Sequence, residues 1–186
     1  MKTKTIFASA AKAAFALAAV VMMSAVFTSC SKDSDEPEPE PKFTNTVTLN
    51  GVEKPILMAE YEDEHDGDYS LYLYLSADRK GKVKFQLNKD VHMTGSPVKL
   101  TEKEKKHDGK WYWVVDYYTA DGTFLINTFG KSDDTQYPVF TTGTLTISGS
   151  PESTINIKLE NGRVKDINGN EHSLAISYGG PMTKKK

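Results

Sequence analysis

Strict alternation of apolar and polar side chains is the feature that most constrains the fold of this chain. In Tyr69–Ser76, three leucines alternate with tyrosine and serine. Lys82–Asn88 repeats the pattern, with valine, phenylalanine and leucine at every second position. Successive side chains of a β-strand point to opposite faces, so a period of two indicates strands that bury only one face. The two segments therefore predict antiparallel sheet with one side against a core.

Turn dipeptides divide the rest of the body into further short strands. Asn50-Gly51 and Asp121-Gly122 are typical of tight hairpins, because these residue types tolerate a positive φ. The predicted strands are Thr46–Leu49, Ile56–Tyr61, Tyr69–Ser76, Lys82–Asn88, Val98–Thr101, Lys110–Thr119, Thr123–Phe129, Phe140–Ser148, Thr154–Leu159 and Glu171–Tyr178. We expect an all-β domain of about nine or ten strands, either an antiparallel β-sandwich or a flattened β-barrel. Glu102–Lys106 is predicted to form one helical turn at most.

The first 29 residues have the composition of a signal peptide. Lys2 and Lys4 form a basic start, and the apolar stretch Ala13–Val26 follows. That stretch is shorter than the roughly 20 apolar residues that span a bilayer. Small residues then precede Cys30, the only cysteine of the chain. We expect cleavage before Cys30; the alternative is an uncleaved membrane helix, which no positive flank supports.

Cys30 lies in a sequence that resembles a bacterial lipobox, Phe27-Thr28-Ser29-Cys30, with phenylalanine where leucine is usual. Ser31–Glu36 resembles the acidic signal that exports lipoproteins of Bacteroidota to the outside of the outer membrane. Resemblance to these small surface-exposed lipoproteins implies an acyl chain such as palmitate on Cys30, an outer-membrane anchor and an all-β body. More than one acyl chain makes such anchoring stable. A looser resemblance covers Gly143–Ile147, Asp166–Asn170 and Ser177–Gly180.

A spacer separates the lipid site from the body. Glu36–Pro41 alternates glutamate with proline, a composition that favours an extended chain and cannot form a core. The predicted organisation is a cleaved leader (1–29), a lipidated cysteine with an acidic proline-rich linker (30–42), one β domain (43–182) and a basic disordered tail (183–186).

The charge balance bears on the partners. The chain has 23 basic and 25 acidic residues, and residues 1–29 contain three lysines and no carboxylate, so the mature chain has a formal net charge of −5. A mildly acidic protein without a basic stripe is a poor candidate for binding nucleic acid. The membrane is the partner that the anchor implies.

Aromatic side chains concentrate on two predicted strands. Trp111 and Trp113 are expected to point into the core, which leaves Tyr112 and Tyr118 toward solvent. Tyr72 and Tyr74 likewise lie opposite a leucine row. If the two strands are neighbours, these four tyrosines form an exposed platform that suits sugar rings or a protein interface. The alternative is ordinary cross-strand pairing of tyrosines on a solvated face.

Metal-binding patterns are weak. His65-Asp66-Gly67 and His107-Asp108-Gly109 each precede a predicted strand, and their side chains could converge on a metal if both turns lie at one end of the fold. Asp-Gly is also a routine turn dipeptide, and we favour that interpretation. The acidic loop Glu62–Asp68 resembles a calcium loop only faintly, because Leu73 occupies the position where an EF-hand has its closing glutamate. No metal or cofactor is therefore predicted.

The sequence contains no catalytic signature. It has no Gly-x-Ser-x-Gly, no His-Glu-x-x-His and no glycine-rich phosphate loop. His92 and His172 stand alone and are interpreted as surface or strand-end residues. The leading hypothesis is a non-enzymatic lipoprotein on the cell surface that binds a glycan or a protein partner. The alternatives are a structural or assembly subunit of an envelope complex and a lipocalin-like carrier of a small apolar ligand.

Overall fold

Two six-stranded sheets pack as a sandwich in the computed structural model, which describes residues 42–104, 108–130, 140–166 and 168–186. The strands of the first sheet are, in spatial order, β2 (Val52–Pro55), β1 (Thr46–Leu49), β11 (Glu171–Gly180), β10 (Ile155–Lys165), β9 (Phe140–Gly149) and β6 (Pro97–Lys99). Those of the second sheet are β12 (Thr183–Lys184), β3 (Met58–Asp63), β4 (Asp68–Tyr74), β5 (Lys82–Asn88), β7 (Val114–Tyr118) and β8 (Phe124–Ile126). One short helix, α1 (Lys89–His92), follows β5. The all-β sandwich is confirmed; the described residues form twelve strands, more than the predicted nine or ten.

The core lies between the sheets and is formed by the apolar rows that the alternation predicted. In β4 and β5, Leu71, Leu73, Val83, Phe85 and Leu87 are completely buried. Opposing them in the first sheet are the buried residues Leu145, Ile147, Ile155, Ile157, Leu159, Leu174 and Ile176. Burial of side chains of this size contributes roughly 1.5–3 kcal/mol each. Cross-sheet packing of aliphatic rows is therefore the main source of stability.

Near the start of the domain, the chain crosses from the first sheet to the second. Asn50 and Gly51 have φ values of 51° and 79° and close the tight β1–β2 hairpin that the Asn-Gly pair predicted. The returning strand is Val52–Pro55 rather than Ile56–Tyr61. At the next two residues the chain changes sheets, because Ile56 N donates to Asn45 O and Leu57 N to Tyr74 O, each at 2.9 Å. Met58–Asp63 then pairs with β4.

Asn161-Gly162, just beyond the predicted end of a strand at Leu159, lies inside the eleven-residue strand β10. Leu159 pairs with Ile176 and Gly162 with Leu174, so two residues of β10 face one residue of β11. This two-against-one arrangement is a β-bulge, and Asn161 at its centre has a φ of 54°. A bulge allows the strand to continue past residues that would otherwise end it.

The C-terminal residues are ordered against the second sheet. Thr183 and Lys184 pair in parallel with Glu60 and Tyr61 of β3, and Lys185 N donates to Tyr61 O at 2.8 Å. The prediction of a disordered tail at 183–186 is therefore wrong for Thr183–Lys185, and the domain continues beyond Met182. The short helix α1, which the sequence did not predict, is capped by Asn88, whose side chain accepts a hydrogen bond from Asp90 N at 3.0 Å. The turn predicted within Glu102–Lys106 lies partly outside the described residues.

Several predictions concern residues outside the described ranges. These are the leader (1–29), the acyl site Cys30 with the linker up to residue 41, and His107. In the part of the chain that is described, no helix is long and apolar enough to cross a membrane.

The bulge gives a sharp test of backbone packing. A Cβ added at Gly162 would lie 2.5 Å from Leu174 O and 2.7 Å from Leu159 Cδ2. The φ of Gly162 is outside the left-handed region, so the backbone conformation itself would not be strained by a side chain. Gly162→Ala should therefore lower the free energy of unfolding by about 2–4 kcal/mol through steric overlap. Gly51→Ala is the matched control: it has open space but a φ of +79°, and should cost only about 1 kcal/mol. Equal losses in urea unfolding would contradict the close packing at Gly162.

Candidate functional site

The outer face of the second sheet carries a row of side chains across five strands. Cross-strand pairing places Met58 opposite Tyr74, Tyr74 opposite Lys82, Lys82 opposite Tyr118, and Tyr118 opposite Phe124. We call these five residues the outer row. Ala59, Leu73, Val83 and Tyr117, each next to a member of the row in sequence, are buried in the core, so the row faces away from it. Since adjacent strands lie about 4.8 Å apart, the row is roughly 19 Å long.

A parallel row of polar residues lies one step along the strands. Glu60 pairs with Tyr72, Tyr72 with Lys84, and Lys84 with Asp116. We call these four residues the polar row. The predicted platform required β4 and β7 to be neighbours. They are not, because β5 lies between them. Lysines of β5 separate the tyrosines of β4 from Tyr118.

Tyr72 and Tyr74 are buried, with exposed fractions of 7% and 3%, so their predicted exposure is wrong. Their rings stack at 6.1 Å with an interplanar angle of 9°. The Tyr74 hydroxyl donates to Glu60 at 3.1 Å, and the Tyr72 hydroxyl donates to Glu62. Burial, reinforced by the hydrogen bond to Glu60, raises the pKa of Tyr74 to about 12. Burial and the hydrogen bond to Glu62 likewise raise the pKa of Tyr72. These two side chains support the face and leave little ring surface for a ligand.

Paired cations cover the two tyrosines. Arg79 forms an ion pair with Glu60 at 3.2 Å, and Lys185 forms one with Glu62 at 2.8 Å. The Arg79 guanidinium lies 5.6 Å from the Tyr74 ring centre, and the Lys185 ammonium lies 4.6 Å from that of Tyr72. The charges at this end of the face are therefore balanced.

The accessible aromatic surface lies at the other end of the outer row. Phe124 is 48% exposed, and its ring centre lies 4.2 Å from that of the partly exposed Tyr118. Lys82 Nζ lies 4.5 Å from the Tyr118 ring centre. Burial raises the pKa of Tyr118 to about 12, with the Asp116 charge contributing, so its hydroxyl remains a neutral donor and acceptor. Phe124, Tyr118 and Lys82 together form what we call the aromatic edge.

Two ammonium groups on this face lack a carboxylate partner. Among the described residues, no carboxylate forms an ion pair with Lys82 or Lys84. Burial lowers the pKa of Lys82, and repulsion from Lys185 and Lys84 adds to the shift. Repulsion of this kind is relieved when an anion binds between the charges. The aromatic edge thus lies beside two ammonium groups that form no ion pair among the described residues.

Tyr112, the other residue predicted for the platform, is partly buried and lies before β7 begins. The expected long aromatic strand Lys110–Thr119 is shorter, since β7 starts at Val114. Trp113 is completely buried, as predicted, but Trp111 is only partly buried. Phe124, which the prediction placed in a strand without a role, supplies the exposed ring instead.

The described parts of the two His-Asp-Gly segments, His65–Gly67 and Asp108-Gly109, lie near the same end of the second sheet. Asp68 directly follows the first turn, and Trp111 lies just after the second. The Asp68 Oδ1 atom accepts hydrogen bonds from Asn88 Nδ2 at 2.7 Å and from Trp111 N at 3.1 Å. Asp66, Gly67, Asp108 and Gly109 all have φ between 49° and 82°. No group of three or more His, Cys, Asp or Glu side chains suited to a metal occurs among the described residues, the acidic loop included. A turn function accounts for the observed geometry.

The lone histidines have specific partners. His92 is buried rather than superficial, and its Nε2 lies 2.8 Å from Glu104 Oε1. His172 Nε2 lies 3.3 Å from Asp166 Oδ2. Asp166 also accepts hydrogen bonds from Asn170 and Asn168, and with the Asn170 side chain as the largest cause these bonds hold its pKa at about 2. The Asp166–His172 contact therefore belongs to a turn.

A cleft opens between β6 at the edge of the first sheet and the start of β7 in the second. Its walls are formed by Pro97, Val98, Lys99, Glu102, Lys103, Glu104 and Trp113, around a volume of about 550 Å³. Nothing in the sequence marked this cleft, because its polar residues belong to a charged segment that reads as a solvated loop.

No family model, curated protein or solved structure matches this chain.

Asp116 in the polar row offers a test by pH. Asp116 is 4% exposed, and this burial raises the pKa of its carboxyl to about 6. The hydrogen bond from Thr128 N to Oδ1, at 3.0 Å, and the charges of Lys84 and Lys103 favour the ionised form but are outweighed by burial. Because the carboxyl pKa is higher in the folded than in the unfolded chain, the stabilising contribution of Asp116 is fully present below pH 3.8, the ordinary pKa of aspartate. This contribution is lost as the pH rises through about 6. Asp116→Asn keeps an oxygen for Thr128 and should raise the free energy of unfolding by about 1–3 kcal/mol at pH 8.

The gain of Asp116→Asn over the wild type should disappear in unfolding measured below pH 4. Asp90→Asn is a suitable control, because Asp90 is exposed and the pKa of its carboxyl is lowered by the hydrogen bond from Lys110. A gain for Asp116→Asn that is independent of pH would contradict the assignment.

Proposed function

We propose that this protein is a non-enzymatic lipoprotein of the outer surface whose aromatic edge binds a glycan. The observation that carries the proposal is the exposed Phe124–Tyr118 pair beside Lys82, whose charge has no carboxylate partner among the described residues. An aromatic face packs against the apolar C–H face of a sugar ring, and its loss of conformational freedom is small.

The charge of the face favours an acidic glycan over a neutral one. A carboxylate or sulfate placed between Lys82 and Lys84 would relieve the repulsion between the two ammonium groups and form charge-assisted hydrogen bonds. The opposite end of the outer row is already neutralised by the pairs Arg79–Glu60 and Lys185–Glu62. The anionic group of the ligand is therefore expected over β5, with a sugar ring on the aromatic edge.

The location proposed for this function rests on the sequence of the N-terminal region. A lipid on Cys30 would anchor the mature chain to the outer membrane, and the acidic proline-rich linker would hold the domain away from the lipid. A glycan-binding domain at the cell exterior requires both elements.

Three other functions compete with glycan binding. A protein partner could use the same exposed rings, and an assembly subunit of an envelope complex would bury them permanently. A lipocalin-like carrier is the least favoured alternative, because the sandwich interior is occupied by fully buried side chains such as Leu71, Phe85 and Ile157. A stable protein partner recovered from detergent extracts, with no glycan bound, would favour the assembly function.

Binding of a uronic-acid oligosaccharide, measured against its carboxyl-reduced counterpart, tests the proposed ligand. Phe124→Ala and Tyr118→Ala should each weaken binding about tenfold, equivalent to about 1.4 kcal/mol. Lys82→Ala should weaken binding of the acidic form and leave the reduced form unaffected. Val52→Ala removes an exposed apolar side chain from the other sheet and is the matched control. Unchanged affinity in Phe124→Ala would remove the aromatic edge from the proposal.

Anchoring is tested separately. In a bacterial host that processes lipoproteins, Cys30→Ser should abolish incorporation of labelled palmitate and release the protein from the membrane fraction, since a single hydroxyl cannot replace the acylated thiol. Ser29→Ala keeps a small residue before the cleavage site and should change neither result. Labelled lipid that persists in Cys30→Ser would overturn the proposed anchor.

A further inference from the structure

The cleft between β6 and β7 contains a lysine in an unusual setting. Lys103 is 4% exposed and lines the cleft, whose volume of about 550 Å³ is within the range typical of small-molecule sites. Lys99, by contrast, lines the same cleft but is exposed. One cleft therefore contains two lysines that differ mainly in burial.

The partners of Lys103 fix its amine without supplying a negative charge. Nζ donates a hydrogen bond to the Trp113 carbonyl and lies 3.5 Å from the centre of the Trp113 ring. Among the described residues no carboxylate forms an ion pair with it. The indole Nε1 of Trp113 donates to Glu102 O at 3.1 Å, which holds the ring in place. The amine is therefore positioned by rigid neutral groups.

Burial lowers the pKa of Lys103 to about 7, against the opposing effects of Glu104 and Asp116. The charged groups around it are these two carboxylates, with Lys99 and Glu102 at the walls of the cleft. A substantial fraction of the amine is therefore unprotonated at neutral pH, whereas an ordinary lysine is almost entirely charged.

A carboxylate with a free acceptor position lies in the same cleft. Glu104 Oε1 lies 2.8 Å from Nε2 of the buried His92, whose Nδ1 accepts a hydrogen bond from Asn88 N at 2.8 Å. Among the described residues, no hydrogen-bond donor reaches Glu104 Oε2, which is buried. A buried acceptor without a donor is costly, and such groups commonly have a functional partner. Burial favours the protonated acid and is the largest single influence, but the hydrogen bonds from His92 and from the backbone together lower the pKa of Glu104, so its carboxyl group is ionised at neutral pH.

We propose that Lys103 is a nucleophilic amine that captures a small aldehyde in this cleft as an imine. The Nζ lone pair attacks the carbonyl carbon and forms the C–N bond, the carbonyl oxygen takes up two protons and leaves as water, and Nζ loses both of its protons. A solvent molecule in the cleft carries one of these protons from Nζ to Glu104 Oε2 and then to the departing oxygen, because no carboxylate among the described residues lies within ion-pair distance of Nζ. No oxidant or reductant is consumed, and hydrolysis reverses the step.

This site is separate from the glycan surface that we propose. Pro97, Val98 and Trp113 form its apolar walls, and none of the three belongs to the outer row or the polar row. A small, largely apolar aldehyde fits such walls better than a charged one. The two proposals can therefore fail independently.

Reductive labelling tests the proposal on the full folded chain. The protein is incubated with benzaldehyde and cyanoborohydride at pH 7, and the benzylated lysines are quantified by peptide mass spectrometry. Lys103 should be labelled at least about tenfold faster than Lys99, because free-base amine is far more abundant at the buried position. The preference should disappear in denaturant and shrink toward pH 10, where exposed lysines also lose their protons.

Two variants separate reactivity from general accessibility. Glu104→Gln retains the shape of the side chain but cannot accept the proton as a carboxylate, and it should slow labelling of Lys103 while leaving Lys99 unchanged. Lys99→Arg should leave the rate at Lys103 unchanged. Labelling of Lys103 at or below the rate of Lys99 in the folded wild type would overturn the proposal, whatever the outcome of glycan binding.

Discussion

Packing of aliphatic side chains between the two sheets is the interaction on which the rest of this structure depends. The inward positions of β4 and β5 are buried against β9, β10 and β11, and the chain has a single cysteine, so no disulfide joins the sheets. Because the interior is close-packed, each strand has only one register that keeps its apolar residues inside. That register in turn fixes which side chains meet on the outer face.

The outer face of the second sheet shows how this constraint organises polar groups. Tyr72 and Tyr74 cannot turn inward, since Leu71 and Leu73 occupy the core positions, and each finds a carboxylate on the neighbouring strand β3. Arg79 and Lys185 then neutralise those carboxylates. On β5, β7 and β8 the two rows contain only one carboxylate, the buried Asp116, and the accessible part of the face is aromatic and positively charged. The contrast between its two ends results from which strands lie at its edges.

Local patterning predicted the elements better than their arrangement. The alternation in Tyr69–Ser76 and Lys82–Asn88 predicted β4, β5 and their core positions because a period of two specifies both conformation and burial. It could not predict the exposure of Tyr72, because a residue on the outer face can still be covered by long side chains from adjacent strands. The bulge at Asn161-Gly162 was missed for a related reason: the same dipeptide that closes the β1–β2 hairpin is accommodated within a strand when neighbours on both sides hold it. Lys103 was missed because the sequence around it is charged, and its burial results from contacts with Trp113 on another segment.

All four lateral margins of the sandwich are short. The first sheet is bordered by β2 with four residues and β6 with three, and the second by β12 with two and β8 with three. An edge strand offers unpaired backbone groups to any other extended chain, and a short edge gives such a chain little to align with. Molecules of this domain could therefore be crowded side by side without joining their sheets into larger assemblies, and a segment of another protein would gain few backbone hydrogen bonds by extending either sheet.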